Sequence, residues 1–177
     1  MFNPLTKTYQ INYSFRQFCN FEWILLTYQT IITENSLRPV NKILFLNSNY
    51  KSLISIWKKV ENEKHPELSP EPGKGTLITV SENELVDYLV IFILLSKIFD
   101  SRYYIMLKEK MPDFKKSKYE ISAEQGIEIS ETLDLGLENL SYYFTREAKI
   151  FLRLAKRRLR GNQKILAKLK AAEEIII

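Results

Sequence analysis

The chain has one cysteine, Cys19, and one histidine, His65. A single cysteine excludes an internal disulfide, and Cys19 stands among Phe18, Phe21 and Trp23, where a small apolar thiol packs well. One histidine with no cysteine near it leaves zinc without a ligand set. It also leaves a Ser-His-Asp or Cys-His system with only His65 as base, and no serine here has the glycine-flanked setting of a nucleophile elbow. Glycine and proline are few, five and six, so long helices are unhindered. The twelve residues from 65 to 76, "HPELSPEPGKGT", hold three of the prolines and two of the glycines. That stretch reads as a linker rather than a helix interior. Its "EPGKGT" lacks the full spacing and the preceding strand of a phosphate loop.

Long apolar runs are missing too. The best is "YLVIFILLSKIF" (88–99), uninterrupted for eight residues only, whereas a membrane span needs about 20. The opening "MFNPLTKTYQINYS" is too polar for a signal peptide. The expectation is a cytoplasmic chain with no integral span. No catalytic set, cofactor motif or metal motif emerges. Glu124, Glu128, Glu131, Asp134 and Glu138 can share one helix side, but a dimetal bundle needs such rows on facing helices, usually with histidine. They read as a solvated acidic face, or as one paired with the basic C-terminal segment, and the chain reads as no enzyme.

What is plentiful is hydrophobic surface, 45% of residues, and positive charge, with a formal net of +5. The charge is unevenly placed. Residues 1–60 are net +5, 61–112 net −3, 113–145 net −4 and 146–177 net +7. Two basic ends enclose an acidic middle.

Apolar steps of three and four predict helices. The first covers 14–35, with strand as a competitor near 28–33. Pro39 opens a short helical piece, and 47–64 forms another with Leu53, Ile56, Trp57 and Val60 on one face. "SENE" (81–84) is a capping box, opening a helix of about thirty residues that stops at Pro112. From Leu133 the series Leu137, Leu140, Phe144, Ala148, Phe151, Ala155 and Leu159 marks a helix over 133–160. Gly161 and Asn162 interrupt it before a last helix with Ile165, Leu166 and Leu169. The fold class read here is all-α, four to six helices in a bundle, with a long basic amphipathic C-terminal helix. "TLITV" (76–80) is the sole strand-like stretch. The domain reading is an N-terminal helical part (1–64), a linker or long loop (65–80) and a C-terminal helical part (81–177), packed as one bundle.

Beside the C-terminal apolar series runs a stripe of Arg146, Lys149, Arg153, Lys156, Arg157, Arg160, Lys164 and Lys168. Arginine holds phosphate through two parallel hydrogen bonds and lysine adds a mobile point charge. With no base-reading motif beside them, they point to backbone contact without sequence specificity. Lys42, Lys51, Lys58 and Lys59 offer a second basic surface, joined in sequence by Lys7, Arg16 and Arg38. Tyr9, Tyr13, Tyr28 and Tyr50 lie among these and could stack on unpaired bases. The partner expected is RNA or single-stranded DNA, together with other protein subunits and possible self-association. The alternatives are an adaptor that assembles with itself or other proteins, and a peripheral binder of anionic membrane.

"ISIWKKV", "NELVDYLVIFILLSKIF" and "FLRLAKRRLR" together give a build that resembles the small helical subunits of multi-subunit CRISPR effector complexes. The resemblance is architectural and rests on no signature motif. It implies a small basic bundle that stacks along its complex and touches the nucleic-acid backbone without catalysis, in antiviral defence.

Overall fold

A computed structural model describes residues 8–13, 15–63, 76–110 and 148–177. The chain is mostly helical, with seven α-helices among the described residues: α1 (Phe15–Thr33), α2 (Arg38–Asn47), α3 (Tyr50–Glu63), α4 (Glu82–Phe99), α5 (Tyr103–Lys110), α6 (Ala148–Arg158) and α7 (Gln163–Glu173). The linker residues 65–75, the acidic row at 124–138 and the helix expected over 133–147 lie outside the described residues, as do Lys7, His65 and Arg146.

The chain is helical as expected, and one small two-stranded sheet is added to the helices. β1 (Thr8–Tyr13) and β2 (Thr76–Ser81) pair antiparallel, with Tyr9 opposite Val80 and Ile11 opposite Ile78. Strand β1 is "TYQINY", where Tyr9, Ile11 and Tyr13 alternate with polar residues over a run too short to stand out in the sequence. Its partner is "TLITV" with Ser81 added. Ile78 and Val80 turn their side chains into the core.

α4 is the centre. Twelve of its eighteen residues are buried, so it is covered on most sides. Leu53 and Ile56 of α3, Val40 and Leu44 of α2, Ile24, Tyr28 and Ile31 of α1, and Ile165, Leu169 and Ala172 of α7 join it in one cluster. The capping box is present: Ser81 accepts from the Glu84 amide, and the Glu84 carboxylate accepts from the Ser81 amide, both at 3.1 Å. No helix among the described residues is long and apolar enough to cross a membrane.

The thirty-residue helix expected from 82 is two helices. Ser101 explains the break. Its hydroxyl donates to the Ile98 carbonyl at 2.7 Å and accepts from the Tyr103 amide at 3.2 Å, a local bond that competes with the helical ladder. The first helix keeps its form through the β-branched stretch near 28–33. Thr30 and Thr33 return their hydroxyls to the carbonyls of Leu26 and Gln29, and Asn41 donates to the carbonyls of Ile31 and Ile32, filling acceptors that the helix end leaves open. The split at Ser101 adds a helix that the sequence did not suggest, and the described residues hold seven against the four to six expected.

Candidate nucleic-acid interface

The C-terminal residues fold as a helical hairpin. α6 gives way to a turn at 159–161, so the helix expected to run on to 160 ends at Arg158. Asn162 makes the elbow. Its side-chain oxygen accepts from the Ile165 amide at 3.1 Å, capping α7, while its amide group donates to Glu82 at 3.2 Å. Glu82 also accepts from the Tyr9 hydroxyl at 3.2 Å. One carboxylate at the start of α4 therefore ties the hairpin to the sheet. Gly161 contributes less than the sequence suggests. Its backbone stays out of the left-handed region, and nothing lies within 4 Å of where a Cβ would stand.

The hairpin is pinned at its other end by Lys97, whose ammonium donates to the main-chain oxygens of Glu173 and Ile175. Between the pins, α6 divides by face. Leu159 is 2% exposed and buried in the core, and Leu152 and Ala155 pack against it. Lys149, Arg153, Lys156 and Arg157 fall within an arc of about 100° on the adjacent side, given 3.6 residues per turn. With Arg160 they line an open cleft of about 570 Å³ between α6 and α7. Leu152 and Leu166 contribute its apolar surface, and Glu173 stands on the α7 side. The Lys156 ammonium and the Glu173 carboxylate form an ion pair across it.

Five of the eight stripe residues are thus brought together. Lys164 and Lys168 are exposed on α7 but do not line the cleft. They lie about half a helical turn away from Leu166 and Glu173, the α7 residues that do. Arg146 lies outside the described residues.

The second basic surface separates into its parts. Lys42, on α2, and Lys51 and Lys58, on one side of α3, are exposed. Lys59 is committed to Glu84, with its ammonium 2.7 Å from one carboxylate oxygen. Ser55 donates to the same carboxylate at 2.9 Å, and Ser52 donates to Asp87. These bonds lock α3 to α4. Burial alone pushes the Glu84 carboxyl up, but the bonds from Lys59, Ser81 and Ser55 outweigh it and hold the group below its ordinary value.

The tyrosines are mostly engaged. Tyr28 is 3% exposed, its ring stacks on Tyr50 with centroids 4.9 Å apart, and its hydroxyl meets Ser48 at 2.9 Å. Burial raises the phenol of Tyr28, so it stays neutral. Tyr9 is bonded to Glu82, and these three rings are structural rather than free platforms for bases. The side chain of Tyr13 lies outside the described residues, as do those of Cys19, Arg16, Val60 and Phe151.

Sequence reasoning missed Glu173 as a cleft residue. Seventeen positions and an elbow separate it from Lys156, so no helical period links them. The available signal was an acid in the last turn of a helix, where the macrodipole disfavours it. Among the described residues no group of three or more histidine, cysteine, aspartate or glutamate side chains gathers as a metal site. No protein-family model matches the chain, and neither does any curated protein or solved structure.

Proposed function

We propose that the chain is a non-catalytic subunit of a nucleic-acid or ribonucleoprotein complex, holding RNA or single-stranded DNA by its phosphate backbone without reading sequence. The observation that carries this is the alignment of Lys149, Arg153, Lys156, Arg157 and Arg160 along one cleft, on a helix whose other side is fixed in the core. A rigid row of cations lowers the ordering cost of meeting a chain of anions. Arginine forks suit phosphate oxygens, and contacts to phosphate carry no base information. The reading places the chain in the cytoplasm beside other subunits, in the manner of the small CRISPR-complex subunits it resembles in build.

A protein-binding reading has its own support. Phe45 and Leu46 are 74% and 79% exposed and flank Lys42 at helical spacing on α2. Large apolar side chains held in solvent beside a cation suit a subunit contact, and this reading is compatible with the first.

The test is charge reversal measured against single-stranded RNA, single-stranded DNA and duplex. R153E/R157E/R160E is expected to abolish binding at low salt, whereas K164E/K168E, on the other side of α7, is expected to weaken it much less. Equal losses in the two variants would mean that net charge, and not the cleft, governs binding.

A further inference from the structure

Glu173 puts a negative charge into a cleft otherwise lined by five cations and two leucines. It does so from the last turn of α7, where the helix's own dipole opposes it. The pair with Lys156 is open to solvent on both sides, with side-chain exposures of 38% and 39%, so it adds little to stability. Among the described residues no carboxylate pairs with Lys149, Arg153, Arg157 or Arg160. Lys156 lies in the middle of that row.

We propose that Glu173 is an internal competitor for the phosphate chain. It neutralises Lys156 from within the cleft, so an entering strand meets four free cations, arranged as Lys149 with Arg153 and Arg157 with Arg160. The inference rests on the phosphate-backbone reading above. Engaging Lys156 requires the ligand to displace Glu173, and the freed carboxylate then recruits a cation from solution. The net release of counterions is one fewer than five cations would give.

The experiment measures affinity for a single-stranded oligonucleotide at several salt concentrations. It uses wild type, E173Q, E174Q, K149M and the double variant K156M/E173Q, with thermal unfolding of each. Glu174 is exposed and does not line the cleft, so E174Q removes the same charge without freeing Lys156. E173Q is expected to bind about two- to fivefold tighter at low salt, the range of an exposed ion pair. The slope of log affinity against log salt should be steeper by about 0.7 in E173Q, from one added phosphate contact, so the advantage fades between about 50 and 200 mM salt. E174Q should bind nearly as wild type does. K156M/E173Q replaces the pair by two neutral side chains of similar length and should also match wild type. This variant keeps the test readable should an unpaired Lys156 destabilise E173Q. Equal tightening in E173Q and E174Q would overturn the proposal, as would a double variant that binds as weakly as K149M, because Lys156 would then already be touching phosphate. If wild type binds no oligonucleotide at any salt, the functional reading itself falls and takes this inference with it.

Discussion

At the scale of single residues, small polar groups decide the local geometry. Glu84 closes the capping box, accepts from Ser55 and pairs with Lys59, and its carboxyl is held below its ordinary value of 4.5. The folded state therefore resists protonating it. The stability it supplies is complete above the ordinary carboxylate range and is lost as pH falls through the lowered value. Thermal unfolding of wild type and E84Q across pH should show a gap at neutral pH that closes in acid; a gap that widens in acid would reverse the sign. Asn162 and Gly161 offer a second test at this scale. N162A removes a helix cap and the bond to Glu82, and should cost about 1–2 kcal/mol. G161A has open space and an ordinary backbone, and should be neutral or stabilise by about 0.4–1 kcal/mol. Chemical denaturation of both variants checks the contrast.

At the scale of elements, legibility followed the range of the determining interaction. The capping box at Ser81, proline at the start of α2 and the Leu53–Ile56 face of α3 are set by neighbours within a turn, and sequence spacing reveals them. The break after Phe99 depends on one serine hydroxyl within an otherwise helical pattern, so periodicity runs through it. The pairing of β1 with β2 joins residues some seventy positions apart, and β1 alternates in only six residues. The basic stripe was legible as residues but not as a surface, because the elbow at Asn162 turns Lys164 and Lys168 away from the row on α6. Leu94, fully buried on α4, measures how much the central helix contributes: L94A should destabilise the fold by about 2–5 kcal/mol, with the denaturation midpoint as readout. Arg153 is exposed on α6, and R153A should move that midpoint by no more than about 0.5 kcal/mol.

For the molecule as a whole, α4 is the centre of the described core, and the α6–α7 hairpin is held to it at two points, by Asn162 with Glu82 and by Lys97 with the end of α7. The basic wall is thus presented by a fixed frame. The measurement that bears most directly on this account is the salt dependence of wild-type binding to a single-stranded oligonucleotide. Four free cations, each contributing about 0.7 per phosphate for a single strand, predict that log affinity falls against log salt with a slope of about −3. A slope near zero, or a slope unchanged when Arg153, Arg157 and Arg160 are reversed in charge, would contradict the claim that this wall holds phosphate.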